Sequence, residues 1–461
     1  METDYLVIGA GAMGLAFADE LLTRSEARIT IVDKRHAPGG HWNDAYPFVR
    51  LHQPSIFYGV ESKELSEYRI DDSGPNQGFL SLAEGSQVLH YFHSLMRDRF
   101  LRSGRVTFLP MCEVEADGTL RSLLSGERRR IDVRKKTVDA AYLTNTVPQT
   151  HTRKFSVASG VTCVPPNDLP RLVARHTRFT VLGAGKTGVD TCSWLLANGA
   201  PADAIRWIMP RDCWFVNRAT TQPGPEFFAE LFGSAAAQRE ALAAATSARD
   251  FAHRLEAAAA WLRLDSKVEP GLFHAAAVSE GELRELRRIH DIVRLGRVTA
   301  IEPDRLMFGR AEIAAQPDTL YVDCTASALP RRPAIPVFDR DRITLQMVRF
   351  PQLPFSAAFI GFLESSTLSD DDKNGFAAPI GLSDTVEEYL FALATDLSNR
   401  NLCAKNALVR AWIAASRTDG YTKLAREVDR NDAVKMLLLA RLREATVAAA
   451  RNLPNLLAAL T

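Results

Sequence analysis

The chain has 461 residues, 46% of them hydrophobic and 24% charged, with a formal net charge of +1. This is the composition of a globular protein with room for two or three domains, and so balanced a charge gives no basis for a nucleic-acid or anionic-membrane partner. The six cysteines lie far apart with no CxxC and no Cys/His metal spacing, which points to a reducing, cytoplasmic location and away from a disulfide framework or a metal cluster.

The first apolar run, Tyr5-Leu6-Val7-Ile8, empties into Gly9-Ala10-Gly11-Ala12-Met13-Gly14 and then a helical pattern. Strand, glycine turn and helix in this order form a dinucleotide-binding fingerprint. Gly9 allows the tight turn, Gly11 lets the backbone approach a pyrophosphate, and Gly14 lets the helix pack on its strand. The N–H groups and dipole of the helix start favour phosphate. The next run, Ile29-Thr30-Ile31-Val32, ends at Asp33, roughly 20 residues downstream, where a carboxylate bonds an adenosine ribose. An acid there repels a 2′-phosphate, so this site is read as preferring FAD or NAD over NADP. A strand at the very start leaves no space for a signal peptide, and no apolar run is long enough to span a bilayer.

Next come Gly39-Gly40-His41-Trp42, Tyr46-Pro47 and Val49-Arg50-Leu51-His52-Gln53-Pro54-Ser55, ending at Phe57-Tyr58-Gly59. With the preceding fingerprint, this text resembles the class B flavin-dependent monooxygenases: the flavin-containing monooxygenases, N-hydroxylases and Baeyer-Villiger monooxygenases. Those enzymes carry GG-x-W after the ribose-binding acid, then a segment lying along the isoalloxazine. The resemblance implies that Gly40 and Trp42 lie against FAD and that residues 50–54 line the flavin's reactive side, with Arg50, His52 and Gln53 as catalytic candidates. The family usually places Asp or Asn where this chain has His52. An imidazole there can donate or accept a hydrogen bond and change charge near physiological pH; the alternative is a structural histidine bonded to nearby backbone. No cysteine pair is available in this segment, which excludes the dithiol mechanism of flavoprotein disulfide reductases.

Over residues 86–100, Val88, Leu89, Phe92, Leu95, Met96 and Phe100 recur at helical spacing, predicting an amphipathic helix with one face on the sheet. Residues 106–109, 129–133 and 140–144 read as strands of a small antiparallel layer. Residues 146–170 have a linker's prolines and polar residues. The resembled family normally carries F-x-G-x-x-x-H-x-x-x-(F/Y/W) here, whereas this chain reads Phe155-Ser156-Val157-Ala158-Ser159-Gly160-Val161-Thr162-Cys163, without the histidine.

A second fingerprint follows: Phe179-Thr180-Val181-Leu182 runs into Gly183-Ala184-Gly185-Lys186-Thr187-Gly188 and another helical stretch. Two fingerprints imply two dinucleotides held by two sheets, most economically a bound flavin and a diffusing nicotinamide, the latter seated on Gly183, Gly185, Lys186, Thr187 and Gly188. The next strand, 205–209, ends in Pro210-Arg211-Asp212-Cys213-Trp214, with Arg218 beyond. Arginine at this tip favours a 2′-phosphate, which guanidinium pairs bidentately while its planar face stacks on adenine; the family also has Arg, Trp and a basic residue there. NADPH is the expected donor, with Arg211 as phosphate reader and Arg218 beside it. Asp212, if it faces the ribose instead, moves the preference toward NADH, and a solvated surface pair is the plain alternative for the two arginines.

Residues 226–263 are alanine-rich and helical and resemble the insertion on the nicotinamide domain of class B enzymes, which roofs the active site or only stabilises the domain. Ser279-Glu280-Gly281-Glu282 fits a capping box opening a short helix. His274 and His290 have no metal-like partner and read as surface or packing residues. Runs 292–294 and 298–301 read as strands returning toward the first domain. Then Leu320-Tyr321-Val322-Asp323-Cys324-Thr325-Ala326-Ser327-Ala328 gives a strand and a small-residue turn, a partial match to the acid and A-T-G that join the two domains in this class, with Cys324 buried and inert. Residues 359–363 read as a strand, and Asp370-Asp371-Asp372 as a solvated loop or helix start. Residues 433–460 form a long amphipathic pattern broken by Pro454, suited to packing on its own flavin domain or to a dimer surface rather than to a membrane.

The expected architecture is α/β: two dinucleotide-binding, Rossmann-like domains, with the nicotinamide domain (165–298, helical insertion about 226–290) inserted in a split FAD domain (1–164 and 299–461) that carries C-terminal helices. The resemblance, which runs to about Leu329, implies that NADPH reduces FAD and that reduced FAD with O2 oxygenates a small organic substrate by N- or S-oxygenation or Baeyer-Villiger insertion. Two alternatives stand beside it: an NADPH-dependent flavin oxidase or reductase without oxygen insertion, and a non-catalytic redox-sensing flavoprotein.

Overall fold

The computed structural model describes residues 1–143, 145–327 and 331–460. In the first of its two large sheets, Glu2–Ile8 lies between Ile29–Asp33 and Asp132–Asp139, all parallel. Val106–Pro110 extends one side and Arg342–Thr344 the other, also parallel, and Phe338–Asp339 closes the edge antiparallel. Ile29–Asp33 is buried at every position, as a parallel strand covered on both faces must be. Residues 106–109 therefore belong to this sheet, and the small antiparallel layer is built instead from Cys112–Val114, Thr119–Ser122 and Arg128–Arg130. The strand expected over 140–144 ends at Asp139; Ala140 closes it by donating to the Ile8 carbonyl at 3.0 Å. Thr144 lies outside the described residues, as do Ala328 and Leu329.

The helix that follows the first glycine turn, Ala12–Arg24, packs on Leu353–Glu364, and at Gly361 a Cβ would come within 2.8 Å of the Phe17 carbonyl oxygen, so only glycine permits that approach. This corrects the expected strand at 359–363. The helix is buried from Pro354 to Leu363, and an apolar run with no polar face carries no period by which helix and strand can be told apart.

The second sheet is wholly parallel, in the order Cys163–Val164, Thr319–Asp323, Arg178–Leu182, Ile205–Ile208, Asp291–Val293. Thr319–Asp323 thus lies beside the strand that feeds the second glycine turn, beyond the boundary expected near residue 298. Leu320 and Val322 are fully buried there, and this burial draws the strand into the second sheet. Residues 298–314 first form three strands of a separate sheet with Ser156–Val157, and the chain rejoins the first sheet only at Phe338.

The insertion contributes helices Phe228–Ala244 and Ala248–Ala257 and two strands, Trp261–Leu262 and Leu272–Val278, which flank Cys213–Asn217 in a three-stranded sheet. The C-terminal helix Ala433–Ala458 packs along Phe228–Ala244, and Asn452 donates to the carbonyls of Leu242 and Ala245 at 2.9 and 2.8 Å. It therefore covers the insertion and not the first sheet, a partner 200 residues away that periodicity alone does not reveal. Residues 86–100 form the expected helix, Gly85–Leu95, continued by a wider turn at Met96–Phe100, with Val88, Phe92, Leu95 and Phe100 in the core. Asp370–Phe376 is a helix whose first turn carries the three aspartates, capped by Ser369. Among the described residues no helix is long and apolar enough to cross a membrane.

Candidate active site

The two glycine turns are built alike. Gly9 has φ +113° and Gly183 φ +122°, a region that favours glycine. Gly11 and Gly185 cap their helices in extended backbone, ψ −176° and −178°. A Cβ on Gly14 would lie 2.0 Å from the Gly9 oxygen, and one on Gly188 would lie 2.2 Å from the Gly183 oxygen. Neither Ala12–Arg24 nor Lys186–Ala197 has a side-chain cap or an acid in its first turn, so the leading N–H groups of each helix are left for an anion from outside the chain. At Gly185 a Cβ would meet nothing within 4 Å, and the second turn is open where a pyrophosphate would approach. Both turns fit a dinucleotide.

The strand tips differ as their chemistry requires. Asp33 is buried, and its carboxylate accepts from the N–H of Ala10 at 2.7 Å and of Arg35 at 2.8 Å, which fixes it against the first turn. At the second tip Arg211 is exposed and has no ion pair among the described residues. Its neighbour Asp212 is buried and bound bidentately by Arg294 at 2.7 and 3.0 Å, so its carboxylate is withdrawn from the tip. Arg218 is elsewhere: it is 1% exposed, paired with Glu282 at 2.7 Å and bonded to Asn76 at 3.2 Å. Lys186 and Thr187 open the second helix, and the Lys186 ammonium pairs with Asp190.

Gly39 and Gly40 turn with φ +118° and +57°, and a Cβ on Gly40 would lie 2.9 Å from the Gly11 Cα, so the GG pair sits directly on the first turn. Trp42 is buried and donates to the Tyr58 hydroxyl at 2.9 Å. His41 stacks on Trp42, and desolvation, helped by Arg35, brings its imidazole down to about 4.

The segment after it separates the three catalytic candidates. Arg50 points outward to Glu84 at 2.9 Å, both side chains about half exposed. Gln53 is half-buried and has no hydrogen-bond partner among the described residues. His52 alone faces the second half of the chain, with Lys186, Arg218 and Glu282 as its charged neighbours. Desolvation first, then the two cations, push its imidazole down to about 3. The ring stays neutral at physiological pH, which corrects the expectation of a charge that switches there.

Several residues that hold this arrangement carry no sequence signal. The Tyr46 hydroxyl donates to Asp190 at 2.7 Å, on the carboxylate that Lys186 pairs with, and Phe48 stacks on Trp194 at 5.0 Å, keying the segment ahead of Arg50 to the second helix. Leu80 donates to Gln222 at 2.9 Å and Ser279 to the Pro75 carbonyl at 2.6 Å, which secures the insertion to the first half. From the other end of the chain, Arg417 donates to the carbonyls of Ile56, Tyr58 and Val60, at 3.0 Å for Tyr58 and 3.1 Å for Val60 from Nε. Asp323, at the partial junction motif, binds His151 at 3.0 Å, Arg153 at 3.3 Å and Thr325 at 2.6 Å. It ties the linker to the second sheet, and the Cys324 carbonyl lies 2.6 Å from where a Gly183 Cβ would be.

Residues 7–63 match a family of NAD(P)-binding Rossmann-like domains. The uncharacterized proteins Rv2000 of Mycobacterium tuberculosis and Mb2023 of Mycobacterium bovis are each 44% identical over 461 residues, 100% of this chain and 86% of theirs. Among solved structures, cyclohexanone monooxygenase from Rhodococcus sp. Phi1 bound to NADP+ aligns with a TM-score of 0.50 at 12% identity, over 99% of this chain and 98% of that one. Oxidized steroid monooxygenase bound to NADP aligns with a TM-score of 0.50 at 14% identity, over 97% and 98%. At these identities the likeness is one of fold: an α/β architecture with Rossmann-like sheets, as in the class B flavin monooxygenases.

Proposed function

We propose that this chain, which belongs to the same family as the two mycobacterial proteins and has the fold of the flavin monooxygenases, is an NADPH-dependent flavoprotein that oxygenates a small organic substrate with O2. The observation that carries the reading is the matched pair of glycine turns, one beneath a carboxylate and the other followed at its strand tip by an arginine with no ion pair among the described residues. FAD, when bound, supplies the redox chemistry, taking electrons from NADPH and passing them to O2.

The chain's own part is seating, orientation and exclusion of water. The N–H groups after Gly11 and Gly185 receive the two pyrophosphates, and Asp33 accepts from a ribose hydroxyl. Arg211 pairs with a 2′-phosphate, a role that Asp212 does not contest because Arg294 holds it. His52 offers a neutral hydrogen-bonding edge to the flavin's reactive side, its basicity suppressed by burial. Tyr46, Phe48 and Arg417 fix the segment that carries it, and a segment so held serves to keep water from the reacting centre.

The purified protein, yellow or reconstituted with FAD, is expected to lose its flavin absorbance under anaerobic NADPH and recover it with O2. A protein that takes up no flavin would overturn the reading. The oxidase alternative draws on the missing histidine in 155–163, and it requires hydrogen peroxide to equal NADPH consumed whatever compound is added, whereas the oxygenase requires peroxide to fall short once a substrate is supplied.

A further inference from the structure

We infer that Arg294 sets the nucleotide preference: by holding Asp212 it keeps an NADH-selecting acid out of the second strand tip and leaves Arg211 to read a 2′-phosphate. This rests on the NADPH reading above and adds to it the residue on which the choice between the two nicotinamide carriers turns.

The two side chains of the clamp come from neighbouring strands of the second sheet. Asp291–Val293 runs parallel to Ile205–Ile208 with Val293 opposite Ile208, and the Met209 N–H donates to the Val293 carbonyl at 2.9 Å. Arg294 therefore leaves its strand at the level where the other turns through Pro210 into Arg211 and Asp212. Both tips are C-terminal ends of parallel strands, on the side where the second glycine turn opens and where ligands of such sheets bind.

Arg211 and Asp212 are adjacent in the chain and opposite in chemistry. A carboxylate at this place accepts from the adenosine ribose hydroxyls and repels a 2′-phosphate, and a guanidinium does the reverse. The chain carries both readers, and only one is free. Arg211 is exposed with no ion pair among the described residues. Asp212 is 4% exposed, and its two oxygens accept from Nε and Nη2 of Arg294 at 2.7 and 3.0 Å.

The clamp is itself braced. Nη2 of Arg294 also reaches Asp265 at 3.4 Å, and the other oxygen of Asp265 accepts from the Lys267 N–H at 2.9 Å. The Asp212 carbonyl accepts from the N–H groups of Gly271 and Leu272 at 3.1 Å each. With the backbone pinned there, the direction of the carboxylate is set by the partner its side chain finds, and that partner is Arg294. Two parallel N–H bonds both neutralise the acid and fix its direction, which the point charge of a lysine does less well. Stability alone does not call for such a pair, since a buried ion pair adds little over neutral packing of the same volume. An uncompensated negative charge beside a phosphate, by contrast, weakens its binding strongly.

The test measures binding and not turnover. NADP+ and NAD+ are titrated calorimetrically into the purified protein as wild type, Arg294→Gln, Arg294→Lys, Asp212→Asn and the double variant Asp212→Asn/Arg294→Gln. The wild type is expected to prefer NADP+. Arg294→Gln should lower the ratio of NADP+ to NAD+ affinity by at least about tenfold, with Arg294→Lys between, and the double variant should restore the wild-type preference. A direct contact between Arg294 and the phosphate would give no such rescue, because its loss would weaken NADP+ equally with or without Asp212→Asn. Arg294→Gln leaves a buried acid unpaired; if that protein does not fold, the double variant, which has no such acid, decides by keeping or losing the preference for NADP+. An unmoved ratio in Arg294→Gln, or a double variant without the preference, overturns this inference alone. A wild type that binds neither nucleotide, or prefers NAD+, overturns the NADPH reading and this inference with it.

Discussion

Alanine at Gly185 and alanine at Gly188, three residues apart in the second turn, should fail in opposite ways. At Gly185 the backbone is extended, φ −77° and ψ −178°, a conformation any residue adopts, and the added methyl meets nothing within 4 Å. Alanine in place of glycine at a helix N-cap loses up to about 1 kcal/mol of capping preference and regains about 0.4–1 kcal/mol from the stiffer unfolded chain, so the net change is within about 1 kcal/mol. At Gly188 the methyl would lie 2.2 Å from the Gly183 carbonyl oxygen and 3.3 Å from the Trp207 indole nitrogen. That oxygen already accepts from Trp207 at 2.8 Å, so it cannot recede without breaking the bond that braces the turn. Overpacking of this kind costs about 1–3 kcal/mol, or roughly 2–4 °C of melting temperature for each kcal/mol in a domain of this size. The ligand ranks the two the other way. A methyl at Gly185 stands where the pyrophosphate must come, and losing one charge-assisted hydrogen bond, worth about 1.5–3 kcal/mol, raises Kd about ten- to hundredfold. Thermal unfolding without nucleotide and fluorescence titration with NADPH separate the two effects. If Gly185→Ala melts as low as Gly188→Ala, or binds NADPH like the wild type, the turn is not the nucleotide's seat.

Arg211→Ala should weaken NADPH by about tenfold or more while sparing NADH, since one bond to a charged phosphate is worth about 1.5–3 kcal/mol; equal losses for both, in parallel inhibition or binding titrations, would refute the assignment. For His52 the sign follows from its suppressed basicity: the folded protein binds fewer protons than the unfolded chain, so the contribution of the neutral ring is whole above the ordinary value of 6.5 and is lost as pH falls toward about 3. Denaturation midpoints across that window should therefore decline less steeply in His52→Gln, and an unchanged slope would show that the ring is not held neutral by burial. Tyr46→Phe removes the hydroxyl that Asp190 accepts from across the two halves, a loss of about 1–3 kcal/mol by analogy with other bonds left half-made to a charged group. If chemical denaturation detects none, the contact is incidental.

Both glycine turns and the order of elements around them could be read from the chain, because their requirements are local: a left-handed residue, a helix start without a cap and a position with no room for a methyl are stated in the residue types themselves. What could not be read depends on distant partners. Leu353–Glu364 is a helix that packs with Gly361 against Phe17, a contact its uniform apolar text does not announce. Thr319–Asp323 joins the second sheet through pairing with Arg178–Leu182. His52 and Lys186 could each be singled out in their own motifs, but their juxtaposition comes from a tyrosine and an aspartate 144 positions apart. Nearness in sequence groups Arg218 with Arg211, and only packing shows it turned inward to Glu282.

The guanidinium of Arg417 fastens carbonyls that lie 357–361 positions earlier in the chain. At ribosomal speeds of about 5–20 residues per second, roughly 20–70 s separate the emergence of the loop from that of its fastener. For that interval the loop holds its shape without the guanidinium that later ties its three carbonyls together.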